Sequence, residues 1–428
     1  MRITFFGGAG EVGRSCVLVE EEDEHLLLDC GIKLGEEEAH PIIERRDLMR
    51  IRRIAISHSH LDHIGFLLHA FARGCRARVW ATKPTRDTMQ LLFADYLRLR
   101  RRPSLTHEHA DKVLRHTEIV EYGEEVGEGA LRFTFHEAGH ILGSAQVRVQ
   151  GSSTLLYTGD VNTRETKLLR PAERGLAADT LIMECTYGRR SDSLPSVRVA
   201  SARLAESINR TIAEGGSVLI PSFAVGRGQE VLLALDAYMA GGLLRKVPIY
   251  VDGLILRANR LYRHNILWAR EELQRSILVS EYDPFKSPFF KKKTGRGMPR
   301  EQCIIVSTAG MLTGGPALGY LKAMAGDPRN RLIFVGYQAE GTLGRKILDG
   351  AREVYVGGER IAIRLQVENI SFSAHADHRG LLELARSVRG LKRIFLVHGE
   401  PPALREMAEV LSREYEVVVP KNGEIFEL

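Results

Sequence analysis

Cysteine is scarce in this chain: Cys16, Cys30, Cys75, Cys185 and Cys303 are five in 428 residues, with no CxxC pair among them. Neither a disulfide framework nor a cysteine zinc site is indicated by an odd number at those spacings. Long apolar runs are missing too. No stretch approaches the roughly 18 apolar residues that a membrane span needs, and the N-terminus opens on a strand-like RITFF instead of a basic and then apolar leader, so a cytoplasmic protein is expected. Asn and Gln are few, 7 and 8, while charged residues reach 27%, a bias of heat-adapted proteins. Internal repeats and low-complexity tracts are absent. What remains is an ordinary globular composition, 44% hydrophobic, whose length favours two or three domains. A net charge of +6 permits a polyanionic partner, as do the basic runs Arg98 to Arg102 and Lys291 to Lys293.

Against this background the run Ser57-His58-Ser59-His60-Leu61-Asp62-His63 stands out. It packs four metal-ligand side chains into six residues just after the apolar stretch IRRIAI. In an extended segment His58 and His60 point to the same side, so one metal can take both. A helical pattern then opens near Asp62, which sends Asp62 and His63 off on different bearings toward a second metal. A single zinc takes three or four ligands, and a two-metal site needs more than one loop supplies. The remainder is found where later apolar strands stop: His140 in AGH, Asp160 in YTGD and His398 in VHGE. Ends of neighbouring strands meet at one edge of a sheet. Seven ligands are therefore expected to converge, with Asp160 suited to bridge two metals.

The coarse pattern changes along the chain. Residues 1 to about 187 read as short strands with tight turns, as in two sheets packed face to face. From Ser196 to about Gly358, long helical patterns alternate with buried-type strands (SVLIPSFA, VPIYVD, CIIVSTAG, RLIFVGYQ), which predicts a doubly wound α/β unit with a parallel sheet. Strand-like sequence returns afterwards, carrying His398. The ligand set is thus split by an inserted domain that would roof the metals and leave a cleft.

Some motifs lead nowhere. Gly8 to Gly13 fits GxGxxG, but SCVLVEEEDEHLLLD reads as a hairpin and leaves no room for the crossover helix a dinucleotide site requires. Those glycines are expected to let backbone approach the metal loop. His107 and His109 follow Thr106 at a helix start and read as surface residues; His136 lies on a strand; His40 and His69 take no part in the constellation.

HxHxDH followed by a separate His, Asp and His resembles the signature of the metallo-β-lactamase superfamily. Asp29 in HLLLD matches its early aspartate. Glu184 in MECTYG, His375 in SFSAHADH and His398 in VHGE resemble the further motifs of the β-CASP nucleases, as do GGAGEVGRS, PSFAVGRGQE, STAGMLTGG and VGYQAEGTLGR. The likeness spans the whole chain. It implies an α/β protein: an αββα metallo-β-lactamase sandwich of residues 1–187 plus 366–428, with an inserted doubly wound α/β (β-CASP) domain at 188–365.

The resemblance also implies a zinc-dependent ribonuclease with two Zn2+ per chain. His58, His60 and His140 would hold one ion and Asp62, His63 and His398 the other, with Asp160 between. A metal-bound hydroxide would attack the phosphodiester of single-stranded RNA and leave 5′-phosphate and 3′-hydroxyl ends. His375, oriented by Glu184, is the implied proton donor, and Asp29 an orienting carboxylate. Arg227, Gly310, Arg345, Lys346, Ser371 and Ser373 are the implied substrate contacts. His398 favours RNA over DNA by the same likeness, and an endonuclease is expected over a dedicated 5′ exonuclease because the chain lacks a long C-terminal extension of the RNase J kind. The alternatives are a DNA-processing nuclease, a small-ester hydrolase on the same core, or a non-catalytic RNA-processing subunit.

Overall fold

The computed structural model describes residues 1–35, 37–100, 104–280, 282–293 and 297–428. They form two compact units. The first holds Met1–Glu165, Leu169–Ser193 and His375–Leu428; the second holds Thr166–Leu168 and Leu194–Ala374.

In the first unit, two seven-stranded sheets are formed among the described residues. One runs in the order Ile425–Glu427, Arg2–Gly7, Cys16–Glu21, Glu24–Leu28, Arg53–Ala55, Arg78–Ala81, Thr117–Ile119. The other runs Glu416–Val418, Arg393–Val397, Thr180–Glu184, Thr154–Tyr157, Ala145–Gln150, Arg132–Glu137, Glu125–Val126. The sequence HLLL shows why they stack. Leu26 and Leu28 enter the core shared by the two sheets, while Leu27 points the other way, against helices. The strand RIFLV divides likewise: Phe395 and Val397 face the shared core, and Ile394 and Leu396 face helices His378–Ser387 and Pro401–Leu411. A strand buried on both faces reads as a continuous apolar run, because period-2 alternation has nothing polar to alternate with. Helices Phe66–Ala72, Lys83–Arg100 and His107–Arg115 cover the outer face of the first sheet through Phe71, Phe93 and Val113. The result is an αββα sandwich.

The second unit carries a six-stranded sheet in the order Phe290–Lys292, Ile249–Asp252, Ile304–Ser307, Val218–Pro221, Arg331–Phe334, Gln366–Asn369, with every pairing parallel. Val218 and Ile220 face helices Val197–Ala213 and Arg227–Ala240, whereas Leu219 faces helix Pro316–Met324. This is the doubly wound α/β pattern.

Gln366–Asn369 stands in this parallel sheet, and the first unit resumes at His375, whereas the sequence reading placed the return at 366. The strand is a half-polar edge (QVEN), so its sequence does not declare which sheet it joins. The acidic turn between Cys16–Glu21 and Glu24–Leu28 is an antiparallel hairpin, as its sequence predicts. The capping box at Thr106 and His109 is also formed. Among the described residues no helix is long and apolar enough to cross a membrane.

The Phe395 ring is fully buried, 5.4 Å from Phe5 and 5.0 Å from Phe426. It fills the space between the sheets on the strand that leads into His398. Phe395→Ala is expected to cost about 3–5 kcal/mol of folding stability. Chemical denaturation of both proteins measures it, and a loss below about 1 kcal/mol would mean that the sandwich recloses around the gap.

Candidate metal centre

Asp29, the Ser57–His63 turn, His140, Asp160 and His398 each follow the C-terminal end of a strand of the first unit, Glu184 is the last residue of another, and they come together. The backbone bends to allow it. Asp29 and His398 adopt positive φ, 59° and 48°. That conformation is uncommon for residues with a side chain and is held here by surrounding bonds. Gly31 has no substitute, because a Cβ there would lie 1.7 Å from Asp62 O.

Two ligand groups result. His58 Nε2 lies 3.1 Å from His60 Nδ1, and His140 Nε2 is also 3.1 Å from His60 Nδ1. The Oδ2 atom of Asp160 stands 3.5 Å from His58 Nε2 and 3.6 Å from His140 Nε2. Its other oxygen, Oδ1, stands 3.2 Å from His63 Nε2 and 3.7 Å from His398 Nδ1. Asp62 closes the second group, with Oδ2 3.6 Å from His398 Nε2 and 4.0 Å from His63 Nε2. The seven residues expected from sequence are thus brought together, and Asp160 turns one oxygen to each group.

A further layer aims these side chains. Asp29 accepts hydrogen bonds from Ser57 N–H (2.7 Å), Ser57 Oγ (2.7 Å) and Tyr157 O–H (2.7 Å), and pairs with His63 Nδ1 at 2.6 Å. Ser15 Oγ is hydrogen-bonded to His398 Nδ1 at 2.8 Å. Glu184 accepts from Val161 N–H (2.9 Å) and Thr186 N–H (3.1 Å) and pairs with His375 Nδ1 at 2.8 Å. His375 Nε2 then lies 4.0 Å from Asp160 Oδ2. Sequence reasoning found Asp29, Glu184 and His375 but missed Ser15 and Tyr157. Ser15 sits inside the quoted GGAGEVGRS and Tyr157 ends an apolar strand, so position alone was the available signal.

Burial and charge set the protonation states. Burial holds the His58 imidazole well below its ordinary value, and the neighbouring His63 adds to the effect. For His63, burial opposes protonation, but Asp160 and Asp29 outweigh it and raise the group well above the ordinary value. Burial likewise works against the charge on Asp160, yet His398, His63 and His58 hold its carboxyl well below the usual carboxylate range.

These residues fit a pair of metal ions on three grounds. The donors are five imidazoles and two carboxylates, the set that suits zinc. His63 Nε2 and Asp160 Oδ1 are shut off from solvent and face each other at 3.2 Å without a well-aligned hydrogen bond. In addition, the Nδ1 atoms of His63 and His398 are engaged by Asp29 and Ser15, which leaves their Nε2 atoms for a metal.

The expected substrate contacts belong to the second unit. Four adjacent parallel strands end in Ser222–Gly226, Thr308–Gly315, Gly336–Thr342 and Ile370–Ser373, and ligands of such sheets bind beyond the carboxyl ends. Arg227, buried, opens the helix after the first of these. Gly310 O, in the second, accepts from Gln338 Nε2 at 3.2 Å. Arg345 and Lys346 lie on helix Leu343–Leu348, where Arg345 Nε reaches Asp349 at 2.8 Å. Ser371 and Ser373 follow the edge strand and are half-buried. Of the basic runs, Lys291 pairs with Glu301 at 3.3 Å, Arg98 pairs with Asp95, and Arg101 and Arg102 lie outside the described residues.

Glu137 bears on His140 through the intervening loop. Its Oε1 accepts from Gly139 N–H at 2.8 Å, and burial pushes its carboxyl up to about 8, against that bond and one from Tyr122. An acid that is neutral when folded and ionised when unfolded stabilises fully below its ordinary value of 4.5, and the contribution is lost as pH rises through 8. Melting temperature of the metal-free protein should therefore fall from about pH 5 to about pH 9, and Glu137→Gln should flatten that fall. Parallel curves for the two proteins would exclude Glu137 as its source.

Comparison with known proteins identifies the family. Residues 9–184 match the metallo-beta-lactamase superfamily, 228–347 the Beta-Casp domain, and 360–420 the Zn-dependent metallo-hydrolase RNA specificity domain. The chain is 36% identical to the transcription termination factor FttA of Methanothermobacter thermautotrophicus, over 97% of its own length and 70% of that protein. It is 37% identical to an RNase J-like protein of Methanocaldococcus jannaschii, over 93% of its length and 92% of the relative's. A crystal structure of a protein of unknown function from Enterococcus faecalis V583 shares the fold, with a TM-score of 0.62 at 14% identity, covering 100% of this chain and 99% of that one. The chain belongs to the metallo-β-lactamase superfamily, in its β-CASP branch of zinc-dependent hydrolases.

Proposed function

We propose that the protein is a two-zinc ribonuclease that hydrolyses phosphodiester bonds of single-stranded RNA within the chain. The observation that carries this reading is the placement of Asp160, one oxygen toward each imidazole group, beside the Glu184–His375 pair. His58, His60 and His140 would hold one ion and Asp62, His63 and His398 the other. Bound zinc would supply Lewis acidity toward a phosphoryl oxygen and a water acidic enough to react at neutral pH. RNA as substrate is supported by the RNA specificity domain matched at 360–420, which contains both His375 and His398. Five free, buried cysteines suit a reducing cytoplasm.

The chain's own residues account for the proton traffic. Glu184 holds His375 through Nδ1, which fixes the ring so that Nε2 points toward the Asp160 side. As water adds to phosphorus in line, the bond from phosphorus to the 3′ oxygen breaks, and His375 Nε2 gives that oxygen its proton. The products carry a 5′-phosphate and a 3′-hydroxyl. Arg227, Gly310, Arg345, Lys346, Ser371 and Ser373 are the proposed contacts for the strand.

Two substitutions separate the roles. Asp160→Ala should lose zinc from this centre together with activity, because one carboxylate serves both groups. His375→Ala should keep normal zinc content and cleave about 10²- to 10⁴-fold more slowly. Metal analysis beside a rate assay decides both, and loss of zinc in the His375 variant would make it a ligand.

Product chemistry tests the reading itself. Labelled single-stranded RNA should yield 5′-phosphate and 3′-hydroxyl ends by mass spectrometry, and a 2′-deoxy nucleotide at the cut should leave cleavage in place, since the 2′-hydroxyl takes no part in bond breaking. A circular RNA should also be opened, because an endonuclease needs no end. A cyclic phosphate, protection by the deoxy substitution, or turnover confined to DNA or thioesters would overturn the proposal.

A further inference from the structure

A second cluster of ligand-type side chains lies in the first unit, apart from the seven residues above. Glu38 and His40 flank Ala39, whose backbone exchanges hydrogen bonds with Lys33 (2.8 and 3.0 Å). In that extended stretch the two side chains project to the same side. Facing them are His69 on helix Phe66–Ala72 and Tyr96 on helix Lys83–Arg100. Glu38 Oε1 is 2.8 Å from His40 Nε2, 3.6 Å from His69 Nε2 and 3.0 Å from Tyr96 O–H, which also donates to Oε2 at 2.9 Å. His69 Nε2 and Tyr96 Oη are 3.2 Å apart. The imidazole rings of His40 and His69 stand 4.2 Å apart, and both lie against Phe66 at 5.2 and 5.6 Å.

We propose that Glu38, His40 and His69 form a third divalent-metal site, structural in role, of the kind zinc fills, with Tyr96 at its fourth corner. Zinc bonds of about 2.0–2.2 Å in a tetrahedron put ligand atoms about 3.4 Å apart. Neighbouring donors here are separated by 2.8–3.6 Å. Those around His60 and Asp160 are separated by 3.1–3.6 Å, so the two clusters are spaced alike. The composition, two Nε2 atoms and a carboxylate, is that of zinc sites with one further position. Burial strengthens the case: the Glu38 side chain is wholly enclosed and His69 and Tyr96 are buried, so a cation there meets the carboxylate in a medium of low dielectric. Arg100 Nε, 3.8 Å from Oε2, stands beside the oxygen that the imidazoles do not share.

The site would clamp the 37–44 segment onto two helices. That segment touches the catalytic unit's glycine-rich loop, because Arg14 Nη1 donates to His40 O at 2.6 Å and the next residue, Ser15, holds His398. A metal at Glu38 would therefore brace the loop that aims a ligand of the main centre, without belonging to that centre.

Metal content of the full chain, stripped with chelator and reloaded with zinc, decides the matter. His40→Ala removes a ring at the edge of the cluster, and Glu38→Gln keeps the size of the buried group. Each variant should bind one zinc equivalent fewer than the wild type. Asp160→Ala, with the main centre disabled, should still bind one zinc at the Glu38 cluster and melt higher with zinc than without, and adding His40→Ala should abolish both effects. Cobalt in the Asp160 variant should give the visible absorption of a tetrahedral site. Should His40→Ala fail to fold, Glu38→Gln carries the comparison. Equal metal content in wild type and both variants, or no zinc and no thermal shift in the Asp160 variant, would reduce the cluster to a hydrogen-bond network. The difference of one equivalent between wild type and variant is independent of whether the main centre holds two ions, one or none.

Discussion

A carboxylate almost wholly shut off from water is stable as an ion only where positive charge or hydrogen-bond donors surround it. Asp160 meets that condition through imidazoles contributed by four separate loops, after strands Arg53–Ala55, Arg132–Glu137 and Arg393–Val397 and at the start of helix His378–Ser387. Each of those loops is placed by the sandwich core. Phe395 and Tyr157, one on each of two strands, are buried in that core and precede His398 and Asp160 by three residues each. The arrangement works in both directions: the core brings the loops together, and the buried charge penalises any packing that would separate them.

Much of this was legible because strand and ligand are adjacent in sequence. HLLL before Asp29, TLLY before Asp160 and RIFLV before His398 announce themselves as buried strands, and a His or Asp at the end of such a run stands at the sheet edge where ligand loops gather. The orienting partners were less legible for a simple reason. Ser15 lies 383 residues from His398 and Tyr157 lies 128 from Asp29, so each pairing exists only after the sheets have formed. Glu137 reads as an ordinary polar residue at a strand end, and only the folded surroundings push its carboxyl up to about 8. The edge strand Gln366–Asn369 was misplaced because its half-polar pattern fits either sheet, and its parallel pairing with Arg331–Phe334 is a long-range fact. The cluster at Glu38 escaped for a similar reason. His40 and His69 are 29 positions apart and carry no motif, and what joins them is a helix packed on a short bridge.

The junction between Asp160 and His375, the proposed bridging carboxylate and proton donor, lies in one peptide segment. Val161 follows Asp160 directly; its N–H is taken by Glu184 at 2.9 Å, and its carbonyl accepts from Ala376 N–H at 2.7 Å, the residue after His375. Glu184 in turn holds the His375 ring. Asp160, Glu184 and His375 are therefore fixed to one another through backbone groups as well as side chains. A displacement of His375 relative to Asp160 would have to break a main-chain hydrogen bond in a buried setting, where an unpaired group costs about 1–3 kcal/mol. That rigidity suits a reaction in which a proton must arrive as a bond breaks, since misplacement by an ångström is enough to slow such a step severely. It also accounts for the silence of the device in the sequence. The Val161 side chain only fills the core beneath helix His378–Ser387, while its amide and carbonyl, which every residue except proline possesses, make the connection.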